Sequence, residues 1–447
     1  MYIKNQNFLV LGVSKSGFAV ANFILSKGGR CFLYEELSSQ KIDNAISNLV
    51  ELGAVRINRQ SLDNELSQID VIVVSPGVPI NHEVTVKAKT LGKRIVGELE
   101  FAYLQFLPTM VAVTGTNGKT TTVTLIDAIL NKNENKSLLV GNVGVPLTSK
   151  VCDADADSIC VAEVSSFQLE TVSAFCPHIS CILNIAPDHL ERHYTMENYV
   201  FLKKRVFKNQ KESEYTLLNF DDEVVKSFSS EVKAKIKYIS LKQKVDGAYR
   251  VDNKLFYNDE FIINQENLAL KGEHNVYNTL FAICTCKLLG VSNQSIVEAL
   301  TTFKGVKHRM ELIANINGVE YYNDSKATNT SSTISAIDNV IKPAILILGG
   351  SDKGENYSAL FEKIKSSSVR HVIIMGATRF KMFESAINSG YNNVTITYDF
   401  KTAVKIAKMI ATDGECVLLS PACASFDSFS CFEERGDRFK EIVEDNK

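Results

Sequence analysis

"VAVTGTNGKTTT", residues 111 to 122, places two glycines, an asparagine, a lysine and a run of threonines directly after an apolar run. Val111 to Val113 reads as a buried strand and Thr124 onward, "TLIDAIL", as an amphipathic helix, so Gly115 to Thr120 is a strand-to-helix turn. Glycines let backbone N–H groups approach an anion closely, and a helix N-terminus adds partial positive charge. Lys119 can reach terminal phosphates, and the Thr120 hydroxyl can ligate Mg²⁺. The spacing is shorter than in the usual phosphate loop, whose first glycine falls here at Val113, leaving the form GxxGKT. A glycine-rich turn with an exposed lysine is the bland reading. Strand, glycines, lysine, hydroxyl and helix nevertheless all fall in the required order, so Gly115, Thr116, Asn117, Gly118, Lys119, Thr120 and Thr121 are read as a nucleoside triphosphate site.

The chain has 447 residues, long enough on the length prior for about three domains. Its 45% hydrophobic and 22% charged content is that of a globular protein, and a net charge of −2 leaves no electrostatic footprint for nucleic acid or a membrane surface. The N-terminus, "MYIKNQNFLVLG", enters a strand without a secretory pattern, and no apolar run reaches the length of a membrane span. A cytoplasmic location is therefore expected. Ten cysteines are scattered without CxxC pairs, mostly in apolar segments, so neither zinc nor a disulfide framework is indicated.

Three stretches alternate short β-branched runs with helical segments, which argues for α/β architecture with mostly parallel sheets. The first runs from "NFLVLG" to "RIVGELEF", the second from "VAVTG" to "SIVEALTTFKG", and the third from "VEYYNDSKATN" to "ECVLLSPACASF". The expected domains are residues 1–97, 98–304 and 305–447, with a linker and hinge at 304–308. Residues 208–270 are polar and mixed, and carry no legible motif.

"LGVSKSG", residues 11 to 17, follows a strand and precedes a helix, and Glu35 ends the next strand. A dinucleotide fingerprint needs a glycine where Ser14 stands, so three readings remain: NAD or FAD, a purely structural turn, or another nucleoside diphosphate. In the second stretch, Glu163 at a strand end beside the phosphate loop is placed to ligate Mg²⁺ with Thr120. His189, next to Asp188 at another strand end, is a functional candidate. Lys203, judged by spacing alone, reads as a solvated lysine.

Taken together, "TGTNGKTTT", "EVSSFQLE" (163–170), "NDSKATN" (323–329) and "LLSPACASFDSFSCFEERG" (418–436) resemble the Mur ligases of peptidoglycan synthesis, and the last three resemble their D-glutamate-adding branch. The resemblance covers essentially the whole chain. It implies an N-terminal Rossmann-like domain for a UDP substrate, a central P-loop ATPase-type α/β domain, and a C-terminal Rossmann-like domain for the incoming amino acid. It further implies ATP and two Mg²⁺ ions, with an acyl phosphate made on UDP-N-acetylmuramoyl-L-alanine and opened by the amine of D-glutamate, as a step in cell-wall biogenesis. The protein is then expected to act as a monomer on small molecules.

Residue by residue, the resemblance makes Lys119, Glu163, His189 and Lys203 catalytic, with Lys203 carbamylated and Thr120, Glu163, His189 and Lys203 holding metal. Asn275, Asn278, Arg309 and Asp324, with His274, fall to ATP. Ser14, Lys15, Ser16, Glu35, Ser75, Pro76 and Gly77 fall to the uridine diphosphate, and Asn142, Ser165 and Gln168 to the substrate path. Lys326, Thr328, Lys353, Ser425 and Phe432 fall to D-glutamate, and Cys423 becomes a pocket-wall residue. Glu35 stands where an aspartate is common, and Lys15 with Ser16 replaces a more apolar pair. Another Mur-type or folylpolyglutamate-type ligase, a P-loop NTPase switch and an NAD-dependent oxidoreductase are the competing readings.

Overall fold

The computed structural model describes residues 1–105, 108–352 and 354–445. The chain divides into two compact units. One comprises Met1–Ile185, Thr195–Leu268 and Tyr277–Thr302, and the other Ala186–Tyr194, Ala269–Val276 and Phe303–Lys447.

The first unit holds two sheets. Strands β1 (Asn7–Leu11), β2 (Arg30–Tyr34), β3 (Val55–Arg56), β4 (Val71–Val74) and β5 (Arg94–Gly97) form a parallel sheet in the order β3-β2-β1-β4-β5. Runs such as "FLVL" and "VIVV" are apolar at every position because helices cover both faces, which removes the inside/outside alternation of a half-exposed strand.

The second sheet has nine strands: β6 (Thr109–Thr114), β7 (Ser137–Gly141), β8 (Ile159–Glu163), β9 (Ile179–Ile182), β10 (Tyr215–Asn219), β11 (Lys235–Ser240), β12 (Gly247–Val251), β13 (Lys254–Tyr257) and β14 (Glu260–Asn264). Their order is β14-β13-β12-β11-β10-β9-β6-β8-β7. The chain leaves β6 towards β7 on one side and returns past it to β9 on the other, so the carboxyl end of β6 lies at a topological switch point. Residues 208–270, unreadable as sequence, supply β10 to β14, the last three joined antiparallel. Glu100 fastens the helix Glu98–Tyr103 to the segment leading into β9, its buried carboxylate accepting from the backbone N–H groups of Ser173, Ala174 and Phe175 at 3.0, 2.7 and 3.0 Å.

The second unit contains β15 (Glu311–Ile316), β16 (Val319–Asn323), β17 (Ala344–Gly349), β18 (Val369–Met375), β19 (Val394–Ile396) and β20 (Cys416–Leu419), ordered β15-β16-β20-β17-β18-β19. All pairings are parallel except β15 with β16. One apolar cluster packs Ala336, Phe361 and Met382 on one face, and another packs Phe400, Val404 and Phe439 on the other. This is the doubly wound arrangement in which ligands bind at the carboxyl ends of the strands.

Candidate functional site

The phosphate-loop helix begins earlier than its apolar pattern implies. It runs Lys119–Lys132 with Gly118 as its N-cap, so Lys119 and Thr120 stand in its first turn. Gly118 has φ +86°, and a Cβ there would lie 2.3 Å from Asn278 Oδ1, so glycine takes this position without the strain another residue would carry. The loop is braced from the end of β9: Thr116 N–H donates to the Asn184 carbonyl at 3.0 Å, and Asn117 N–H to Asn184 Oδ1 at 2.8 Å. Asn184 escaped the sequence reading, although its place at a strand end in "LNIAP" was available as a signal. Lys119 Nζ curls back to the carbonyls of Gly115 and Thr116 at 2.9 and 2.7 Å.

Beside this loop, Thr120 Oγ1 donates to Glu163 Oε2 at 2.6 Å, and Asn142 Nδ2 donates to Glu163 Oε1 at 2.7 Å. Glu163 is buried at the last position of β8, and Asn142 directly follows β7, so three neighbouring strand ends converge. Lys203 corrects its solvated reading: it is 1% exposed, donates to the Gly115 carbonyl at 2.6 Å and to Thr114 Oγ1 at 3.3 Å, and sits 5.0 Å from the Tyr199 ring centre. The helix Met196–Lys204 turns that side chain inward beneath the loop, a direction that helical spacing alone leaves open.

Ser165 and Gln168 form a capping box at the helix Ser166–Leu169, and Gln168 lines a narrow cleft with Ser75, Pro76, Gly97, Glu98 and Thr171. Gly77, exposed, follows in the same loop. Glu98 is buried in that cleft. Its Oε1 accepts from Thr148 N–H and Oγ1 at 2.7 and 2.8 Å, its Oε2 has no partner among the described residues, and burial raises its pKa.

At the end of β1, Ser14 is the N-cap of the helix Lys15–Ser26, which places Ser14, Lys15 and Ser16 at a helix N-terminus. Glu35 turns onto this loop, accepting from Val13 N–H at 2.6 Å and Leu37 N–H at 2.9 Å, and Ser75 Oγ donates to the Gly12 carbonyl at 2.7 Å. Asn278, buried, accepts from Thr122 Oγ1 at 3.3 Å.

In the second unit His189 is the N-cap of the short helix Leu190–His193, at φ 55°, with Nδ1 3.3 Å from Glu191 Oε1 and Nε2 3.6 Å from Asp188 Oδ2. Asn275 Nδ2 donates to the Lys271 carbonyl at 2.8 Å. Burial, with the Arg309 charge adding, brings His274 down to about 4. Asp324 is fully buried and its pKa is raised by that burial; Ser420 Oγ donates to it at 2.8 Å, Met310 N–H at 3.2 Å, and Arg309 Nη1 lies 3.6 Å away.

Lys326 Nζ stands 4.4 Å from the Phe432 ring centre, Ser425 is buried in the loop after β20, and Thr328 is half-buried after β16. Lys353 lies outside the described residues. Cys423 is a core residue rather than a pocket wall: it is 1% exposed in an apolar cluster, lies 3.2 Å from the Tyr357 hydroxyl, and has its thiol pKa raised by burial. Among the described residues no helix is long and apolar enough to cross a membrane.

Fold and site define an α/β protein built around a phosphate loop on the central sheet. Three family models match it in succession: the Mur ligase MurD-like N-terminal domain over residues 6–97, the Mur ligase middle domain over 113–286, and the Mur ligase glutamate ligase domain over 308–423. A UDP-N-acetylmuramoylalanine–D-glutamate ligase of Clostridioides difficile is 38% identical over 100% of both chains. A protein of the same name from Caldanaerobacter subterraneus is 40% identical over 100% of this chain and 99% of its own. Among solved structures, the UDP-N-acetylmuramate-alanine ligase MurC of Thermotoga maritima is 17% identical and superposes with a TM-score of 0.64 over 99% of this chain and 100% of that one, a likeness of fold. The chain belongs to the Mur ligase family.

Proposed function

We propose that this chain joins D-glutamate to UDP-N-acetylmuramoyl-L-alanine, converting ATP to ADP and phosphate, as a step in peptidoglycan precursor synthesis. The observation that carries the reading is the Thr120–Glu163 contact of 2.6 Å beside the glycine loop, in a chain whose full-length relatives bear that ligase's name.

The residues present fit ATP and a divalent cation. Gly118, at φ +86°, leads the chain into the N-terminus of the helix Lys119–Lys132, the kind of helix end that takes a phosphate, and a hydroxyl and a carboxylate already in contact at the loop are hard oxygen ligands of the kind Mg²⁺ takes. Thr120 and Glu163 would hold one cation. Lys203, once carbamylated, offers oxygens to a second, and His189 is assigned the role of an imidazole ligand. Bound cations supply charge neutralisation for the transferring phosphoryl group.

A carboxylate is a poor electrophile because its leaving group would be oxide. Transfer of the terminal phosphoryl group of ATP to the L-alanyl carboxylate turns that oxygen into a good leaving group. The D-glutamate nitrogen, having lost a proton, then attacks the carbonyl carbon, and the tetrahedral intermediate expels phosphate to leave the amide. Protein groups have no covalent part in this sequence, so their work is orientation and charge stabilisation. Lys119 and the N–H groups opening the helix Lys119–Lys132 orient the phosphates. Asn275, Asn278, Arg309 and Asp324 are assigned to the rest of the nucleotide. Ser14, Lys15, Ser16, Glu35 and Ser75–Gly77 are assigned to the uridine diphosphate, and Asn142, Ser165 and Gln168 to the substrate path. Lys326, Thr328, Lys353, Ser425 and Phe432 are assigned to the two carboxylates of D-glutamate.

The test is phosphate release with ATP, Mg²⁺ and UDP-N-acetylmuramoyl-L-alanine, comparing D-glutamate with L-glutamate, D-alanine, L-lysine and no acceptor. Release that requires D-glutamate supports the reading, and equal release without acceptor overturns it in favour of an NTPase switch.

A further inference from the structure

Arg435 is the largest fully buried side chain among the described residues, at 1% exposure. It sits in the first turn of the helix Phe432–Glu444 and spends its donors on two loops of its own unit. Nε donates to Ser325 Oγ at 2.9 Å, Nη1 to the Ala424 carbonyl at 3.2 Å, and Nη2 to the carbonyls of Ser325 and Cys423 at 2.8 and 3.0 Å. Ser325 Oγ in turn donates to the Phe432 carbonyl at 2.8 Å. Among the described residues no Asp or Glu forms an ion pair with Arg435. Burial lowers its pKa to about 10, which leaves it charged at neutral pH.

A buried cation that feels the carboxylates of Asp427 and Asp324 only at longer range than an ion pair is an expensive way to fill space, and a well-packed apolar side chain of similar volume commonly does so with equal or better stability. What the guanidinium adds is direction. Its planar fork engages several acceptors at fixed angles, which neither an ammonium nor an apolar group reproduces. Those acceptors lie in the loop after β16, which carries Lys326 and Thr328, and in the loop after β20, which carries Ser425. Through the Ser325 hydroxyl the fork also reaches Phe432 at the start of its own helix. Because the peptides are trans, drawing the Cys423 and Ala424 carbonyls onto the guanidinium turns the N–H groups of Ala424 and Ser425 away from it.

We propose that Arg435 is the positioning residue of the amino-acid acceptor pocket. Its fork sets Lys326, Ser425 and Phe432 relative to one another, and so fixes the geometry that the pocket offers to the acceptor's carboxylates. This rests on the ligase reading above, in which those residues receive D-glutamate.

The test is the set of three KM values, for ATP, UDP-N-acetylmuramoyl-L-alanine and D-glutamate, in the wild type, Arg435→Lys and Ser325→Ala. Arg435→Lys keeps the charge and loses the fork, and is expected to raise the KM for D-glutamate about tenfold or more while the other two stay within about twofold. Ser325→Ala removes only the hydroxyl between Arg435 and Phe432, and is expected to raise the same KM by a smaller factor. Should Arg435→Lys fail to fold, Ser325→Ala decides alone. An unchanged KM for D-glutamate with a lower kcat, or three KM values rising together, overturns the proposal and makes Arg435 a structural staple. A wild-type protein that ignores D-glutamate overturns the ligase reading instead, which separates the two failures.

Discussion

Thr120 Oγ1 and Glu163 Oε2 are in hydrogen-bond contact at 2.6 Å, joining the first turn of the phosphate-loop helix to the last residue of β8. The contact sets a hydroxyl and a carboxylate, the oxygen ligands proposed for a cation, side by side at the phosphate loop. Glu163→Gln keeps the shape and removes the charge, and it sets an amide N–H₂ against either the Thr120 hydroxyl or the Asn142 amide. Phosphate release is expected to fall about 10²- to 10³-fold, with a raised Mg²⁺ requirement, in a protein that still folds. A Mg²⁺ titration of the wild type and the variant checks this; matching curves would count against Glu163 as a ligand.

Gly118→Ala strains the loop in two ways, through φ +86° and through a Cβ 2.3 Å from Asn278 Oδ1. The left-handed conformation alone costs about 1–3 kcal/mol for a non-glycine residue. Urea denaturation of Gly118→Ala is expected to show a loss of that size, and Asn278→Ala in the same chain is expected to recover the steric part only. Full recovery would show that the backbone conformation costs nothing here.

Glu98 gives a pH prediction with a definite sign. Burial raises its pKa in the folded protein above the ordinary carboxylate value, so the folded state holds this proton more tightly than the unfolded chain does. The stabilisation from that proton is fully present below about pH 4.3, the unfolded value, and is lost as pH rises through the folded value. Glu98→Gln cannot titrate. The stability of the wild type relative to Glu98→Gln is expected to decline from about pH 4.3 upward and then level off. Denaturation series across pH test this, and a pH-independent difference would contradict it.

Lys203 is buried against the Gly115 carbonyl, where addition of CO₂ to its neutral amine, with loss of a proton, would exchange a cation for one negative charge shared by two oxygens. Activity of the wild type is expected to fall in CO₂-depleted buffer and return with bicarbonate, while Lys203→Ala stays inactive in both. Wild-type activity indifferent to CO₂ would leave Lys203 an unmodified ammonium.

The strands at the three sheet centres were legible because burial on both faces leaves unbroken apolar runs such as "VIVV" and "AILILG", and the phosphate loop because its glycines and lysine have mechanical reasons to fall in order. The β12–β13 hairpin was missed although Asp252 and Asn253, both at positive φ, are residue types suited to its tight turn. Lys203 and Arg435 were illegible for a different reason. A charged residue on a helix reads as solvated, and only the tertiary positions of the Gly115, Cys423 and Ala424 carbonyls make its burial tolerable. Glu100 is the same case with opposite sign, a carboxylate whose three backbone donors lie more than seventy residues downstream.

The central claim is that the glycine loop holds the ATP that activates a carboxylate for amide formation. The most direct measurement supplies UDP-N-acetylmuramoyl-L-alanine labelled with ¹⁸O in its carboxylate, together with ATP, Mg²⁺ and D-glutamate, and reads the mass of the released phosphate. One ¹⁸O atom in each phosphate, formed only with D-glutamate present, is the predicted result. Phosphate free of ¹⁸O would mean that ATP is hydrolysed by water and that the carboxylate is never phosphorylated.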